Sequence, residues 1–112
     1  MTDTLDRLPQ VLRMTMLSEV RLDQPDLSMR QLAVFLTVYQ TDEPQTVRGL
    51  AKHLNISKPA VTRALDRLGE LDLAERIIDV TDRRSVLVRR TDAGSVMMHR
   101  LSQAMATAAA AI

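Results

Sequence analysis

The chain has 112 residues, 46% of them hydrophobic and 26% charged, with two histidines and no cysteine. This composition suits one soluble domain, and it excludes a disulfide scaffold, a thiolate zinc site, a cysteine nucleophile and a thiol redox switch. The net charge of +1 conceals an asymmetry, because residues 1–47 carry four Arg against seven acids, residues 48–100 carry eleven basic against seven acidic residues, and residues 101–112 carry none.

Such an imbalance between halves hints at a polyanionic partner. Thirteen of the fifteen basic residues are Arg, the side chain suited to bidentate and phosphate contacts. No apolar run approaches the ~20 residues that a bilayer span needs. The start, MTDTLDRLPQ, has no apolar stretch behind a basic one, so a cytoplasmic protein is expected.

Taken in order, Pro9 suits the first turn of a helix. The following VLRMTMLSEVRL is apolar at Val11, Leu12, Met14, Met16, Leu17, Val20 and Leu22. That arc is too wide for one stripe, so the helix is buried on more than one side, by its own core or by a second subunit. Asp23-Gln24-Pro25-Asp26 is a turn. Ser28 caps a helix to about Gln40, with Leu32, Phe35, Leu36 and Tyr39 spaced as a core face. Phe35 and Tyr39 are the only aromatic residues, and a pair one turn apart reads as core.

Thr46 caps a helix VRGLAKHL, with Val47, Leu50, Ala51 and Leu54 inward. Asn55 ends it in the left-handed conformation. Ser57 opens the next helix with Pro59 in its first turn, and Val61, Ala64, Leu65 and Leu68 face inward. The period then changes. Arg76-Ile77-Ile78 and Ser85-Val86-Leu87-Val88 read as a hairpin with a charged turn near Thr81-Asp82-Arg83. Thr91 caps a last helix with apolar positions Met97, Leu101, Ala104, Met105, Ala108 and Ile112.

Two short helices joined through Leu54-Asn55-Ile56 form a helix-turn-helix pattern, and the hairpin after them makes it winged. At 100° per residue, Pro59, Thr62, Arg63, Asp66 and Glu70 lie opposite the inward set, with Arg67 at the edge. The N-terminal part of this outer face, Ser57, Lys58, Pro59, Ala60, Thr62 and Arg63, is the part that enters a major groove. Pro59 and Ala60 suit thymine methyls, and Arg63 suits guanine or a phosphate. Arg63 and Asp66 also stand at ion-pair spacing on a solvated face.

His53 reads as a helix-end residue and His99 as surface. No catalytic triad, carboxylate pair, metal cluster or phosphate-cradling glycine loop is visible, so no enzyme, cofactor or metal is expected.

The stretch TVRGLAKHLNISKPAVTRALDRLGELDLAERIIDVTDRRSVLVRRTDAG resembles the winged helix of the MarR-type transcriptional regulators. The LAKHLNISKPAVTRALDRL pair, the AER at the first wing strand, the DRRS wing and the TDAG at the last helix occur in order. With SMRQLAVFLTVYQ, the resemblance covers about residues 28–100. It implies a DNA-binding regulator, a dimer on a pseudo-palindrome, and a repressor relieved by a small-molecule effector. It also implies that Arg84 enters the minor groove, that Asp82 steadies it, and that Arg83 meets a phosphate. Only eighteen residues follow Gly94, which implies a shortened C-terminal dimerisation region.

The expected fold is therefore mainly α with a small β-hairpin, a single winged helix-turn-helix domain over residues 1–112. Residues 8–24 and 92–112 are its candidate dimerisation helices. The expected partners are double-stranded DNA and a second copy of the chain, with no membrane. Recognition helix 57–70 is expected in the major groove and wing 79–86 in the minor groove. The expected DNA-binding residues are Thr46, Arg48, Ser57, Lys58, Pro59, Ala60, Thr62, Arg63, Arg67, Asp82, Arg83 and Arg84. A winged helix that grips another protein is the first rival, and a phage- or replication-type DNA-binding protein is the second.

Overall fold

The computed structural model describes residues 4–112, which form five helices and a three-stranded sheet: α1 Thr4–Arg21, α2 Met29–Gln40, β1 Gln45–Thr46, α3 Val47–Leu54, α4 Lys58–Glu70, β2 Ala74–Ile78, β3 Val86–Arg90 and α5 Asp92–Ala111. Two compact units divide the chain, one over residues 27–96 and one joining the segment up to residue 26 with residues 97–112. No helix among the described residues is long and apolar enough to cross a membrane.

In the winged unit the helix ends follow local hydrogen bonding. Ser28 accepts the Gln31 N–H at 3.2 Å, and the Gln31 side chain accepts the Ser28 N–H at 2.8 Å, closing a reciprocal capping box. Thr46 accepts the Gly49 N–H at 2.9 Å, and Thr91 accepts the Gly94 N–H at 2.9 Å. These caps stand where the sequence predicts them.

The core holds Phe35, Leu50, Val34, Val61 and Leu68, all fully buried. The inner face of α4 is Val61, Ala64, Leu65 and Leu68, as expected. That of α2 is turned from the expectation. Val34, Phe35 and Val38 are buried, whereas Leu32, Leu36 and Tyr39 are half-buried. The apolar arc of α2 is wider than one stripe, and its packing on α3, α4 and β3 selects which part is innermost.

The sheet is larger than a hairpin. Its order is β1-β3-β2, all antiparallel, with Gln45 opposite Val88 and Ala74 opposite Arg90. A two-residue strand carries no alternation that a sequence pattern can detect.

Tyr39 ties α2 to the rest of this unit. Its ring lies 4.6 Å from that of Phe35. Its hydroxyl donates to the Leu73 carbonyl at 2.7 Å and accepts the Thr91 N–H at 3.0 Å. Arg90 lies 5.6 Å over the same ring. Its guanidinium also donates to the Val38 carbonyl at 2.9 Å and the Thr41 carbonyl at 2.6 Å, so it satisfies the C-terminal end of α2.

In the terminal unit Pro9 lies inside α1 rather than in its first turn, since the helix begins at Thr4. Pro9 lacks the N–H that would bond Leu5, a loss of one hydrogen bond close to the helix start. Val11 and Thr15 of α1 and Leu101 and Ala108 of α5 are buried. Met97 and Ala104 are half-buried, and Met105 and Ile112 are exposed. Arg100 forks onto Glu19 at 2.8 and 3.2 Å, a pair that the sequence reading does not anticipate. The hydrogen bonds that Arg100 donates to the Glu19 carboxylate hold its guanidinium above its ordinary pKa.

Candidate nucleic-acid interface

The turn between α3 and α4 is built from three residues. Asn55 takes φ 55° and ψ 46°, the left-handed conformation that Asn tolerates. The Ile56 N–H then donates back to the Ala51 carbonyl at 3.1 Å. Ser57 accepts the Ala60 N–H at 3.2 Å and starts α4. Together these bonds set the direction in which α4 leaves α3.

On the outer side of α4, Ser57, Lys58, Pro59 and Arg63 are exposed and Ala60 and Thr62 half-exposed. The hydroxyls of Thr46 and Ser57 are engaged as helix caps. Arg48 is exposed on the first turn of α3.

The ion pairing differs from the expected one. Asp66 pairs with Arg76 of β2 at 2.5 Å and not with Arg63. Arg67 pairs with Glu70 at 3.2 Å, and Arg89 pairs with Glu75. The acids on the outer side of α4 are thus neutralised within the unit. Among the described residues Arg63 has no ion-pair or hydrogen-bond partner. Part of the basic excess of residues 48–100 is correspondingly used internally, by Arg67, Arg76, Arg89 and Arg90.

The wing turn between β2 and β3 is organised by two aspartates. Asp79 accepts the Thr81 hydroxyl at 2.7 Å and the Thr81 N–H at 2.9 Å. These bonds hold its carboxyl below the usual range, the Thr81 hydroxyl contributing most. The ionised form therefore favours the turn, and protonation in acid weakens it. Asp82 accepts the Arg84 N–H through its carboxylate at 3.1 Å and the Ser85 N–H through its carbonyl at 2.9 Å. Its carboxylate also stands 3.6 Å from Arg84 Nε, while the Arg84 side chain is 90% exposed. Asp82 thus orders the backbone beneath Arg84 as well as approaching its guanidinium. Arg83 is exposed beside it.

A cleft of about 550 Å³ opens between the start of α2 and the start of α4, lined by Ser28, Arg30 and Gln31 on one side and by Ser57, Ala60 and Arg63 on the other. No acidic side chain lines it. Arg30 is a basic residue of this surface that periodicity does not single out, because its meeting with α4 is a tertiary event.

The three-helix core, the helix-turn-helix and the β-wing define a winged-helix protein. Residues 27–86 match the profile of the MarR family, and the chain belongs to that family. No protein of curated function matches it. Among solved structures it resembles RV1404 from Mycobacterium tuberculosis at 21% identity and a TM-score of 0.78, covering 92% of this chain and 69% of that one. It also resembles the transcriptional regulator Tm0710 from Thermotoga maritima, at 18% identity and a TM-score of 0.72, covering 87% of this chain and 66% of that one. The DNA-bound, overoxidised form of AbfR is similar at 26% identity and a TM-score of 0.64, covering 72% of this chain and 59% of AbfR. The chain thus spans roughly three-fifths to two-thirds of the length of these proteins.

Proposed function

We propose that this chain binds duplex DNA in a sequence-specific manner and acts as a transcriptional repressor, with α4 in the major groove and the 79–86 wing in the neighbouring minor groove. One observation carries the reading. The outer acids Asp66 and Glu70 are paired with Arg76 and Arg67, while Arg63 on the same helix is exposed and unpaired among the described residues. A helix that presents an unpaired cation and pairs off its acids suits a polyanion. AbfR, a structural relative, has been solved on DNA, which supports the same partner here.

The test is a salt titration of binding to random duplex DNA. Cation-to-phosphate contacts release counterions, so the affinity of a DNA binder falls steeply with salt. A flat response would favour the rival, a winged helix that grips a protein.

The wing makes a second expectation. Minor grooves narrow at A·T-rich steps and concentrate negative potential there, which an inserted Arg exploits. Arg84→Ala should weaken binding most on A·T-flanked sites. Asp82→Ala should weaken it too, although it removes a negative charge, because the backbone under Arg84 loses its acceptor. Tighter binding by Asp82→Ala on both A·T- and G·C-flanked duplexes rejects the positioning role of Asp82.

The terminal unit is proposed to form a homodimer. Leu5, Leu8, Leu12 and Val20 recur at helical spacing on α1 and are 79, 56, 60 and 67% exposed. Leu17, Leu22, Met105 and Ile112 add further exposed apolar surface. This much exposed apolar side chain on one helix suits an interaction surface. Sedimentation at micromolar concentration should find a dimer, and half-sites should then lie about 10 base pairs apart. A monomer at that concentration overturns both expectations.

A further inference from the structure

We infer that Arg30, at the start of α2, is a DNA-backbone contact, and that the cleft it shares with Arg63 seats a phosphate of the strand whose bases meet α4. The inference rests on the proposed DNA reading and extends the contact surface to a helix outside the helix-turn-helix and the wing.

The argument begins with the cations of the winged unit. Arg67, Arg76 and Arg89 are held by carboxylates, Arg90 by the carbonyls of Val38 and Thr41, and Arg84 approaches Asp82. Among the described residues, Arg30, Arg48, Lys52, Lys58, Arg63 and Arg83 have neither an ion pair nor a side-chain hydrogen bond. Five of these stand on α3, α4 or the wing, the elements already assigned to DNA. Arg30 is the sixth.

Arg30 is not an isolated surface cation. It lines the same cleft as Arg63, with Ser28, Ser57 and Ala60 between them and no acid. Two guanidiniums on the walls of one acid-free cleft make its potential positive, so a phosphate is drawn to the Arg30 wall while Arg63 reaches on along α4 to the bases. Arg carries a planar donor fork that fits phosphate. A phosphate in this cleft lies beside the first turns of α4, where a strand passes when that helix occupies a major groove. A phosphate contact fixes register without reading sequence, so Arg30 is a positioning residue.

The experiment measures the salt dependence of binding for the wild type, Arg30→Ala and Arg30→Lys, on the preferred duplex and on random duplex. Each phosphate contact contributes about 0.9 to the slope of log affinity against log salt. Arg30→Ala should flatten the slope by about that amount on both duplexes. The same factor predicts roughly eightfold weaker binding at 0.1 M salt. Arg30→Lys keeps the charge and should keep most of the slope. A structural role for Arg30 would instead lower the unfolding midpoint and leave the slope unchanged.

Neutral methylphosphonate linkages, placed one at a time along the site, locate the contact. One linkage should weaken the wild type and leave Arg30→Ala indifferent. A steep wild-type slope that Arg30→Ala does not change overturns the inference and leaves the DNA reading standing. A flat wild-type slope overturns both. Weakening of Arg30→Ala on the preferred duplex alone also overturns it, since Arg30 would then be reading bases.

Discussion

Arg63→Ala should cost about 1–3 kcal/mol of affinity for the preferred duplex if Arg63 meets a guanine edge, and less on random DNA. Arg63 lies six residues into the helix that Ser57 caps, opposite Val61, Ala64, Leu65 and Leu68. It is exposed, and Asp66, one turn further on, is occupied by Arg76. No carboxylate therefore competes with DNA for its guanidinium. Arg63→Lys sharpens the measurement. An ammonium retains the charge but not the two-pronged donor geometry, so it should preserve random binding and lose preference. Equal losses on both duplexes for Arg63→Ala would make Arg63 a phosphate clamp and move sequence choice to Pro59 and Thr62.

Gly94→Ala should destabilise the winged unit by about 3 kcal/mol or more. The sign is opposite to the usual one, because Ala is favoured over Gly inside a helix by about 1 kcal/mol. Gly94 lies in the first turn of α5 and is buried. A β-carbon there would overlap the Tyr39 hydroxyl and the Leu73 carbonyl oxygen.

Both atoms are backbone or anchored to backbone, since the Tyr39 hydroxyl bonds Leu73 and Thr91. Relief requires moving the start of α5 or breaking those bonds. Overpacking costs about 1–3 kcal/mol, and a buried backbone group left unpaired costs about 1–3 kcal/mol more. Urea unfolding should show a lower midpoint at an unchanged slope. On the Tyr39→Phe background Gly94→Ala should cost less than it does in the wild type, because the obstructing hydroxyl is gone. A loss under 1 kcal/mol for Gly94→Ala would mean that α5 shifts freely and that the Tyr39 hydroxyl contacts with Leu73 and Thr91 are not rigid.

These two residues separate what is legible in sequence from what is not. The caps at Ser28, Thr46, Ser57 and Thr91, the left-handed stop at Asn55 and the inner face of α4 are all readable from the chain, because each depends on partners within four residues. The turned face of α2, the strand β1 and the exchange of Arg63 for Arg76 as the partner of Asp66 are not readable in this way. In sequence Asp66 is nearer to Arg63 and Arg67 than to Arg76, ten residues on, and only the packing of β2 against α4 brings Arg76 to it.

The winged helix-turn-helix and the region expected to meet DNA were determined by the sequence alone, through local hydrogen bonds and a 3.6-residue period. The tertiary structure decided which charges remain available on that surface. Arg90 is committed to carbonyls 49 and 52 residues earlier in the chain, while Arg30 is left free among the described residues and brought to the cleft beside α4. Charge composition counts cations. Only folding determines which of them are cancelled, because cancellation depends on distance in space and not on separation along the chain.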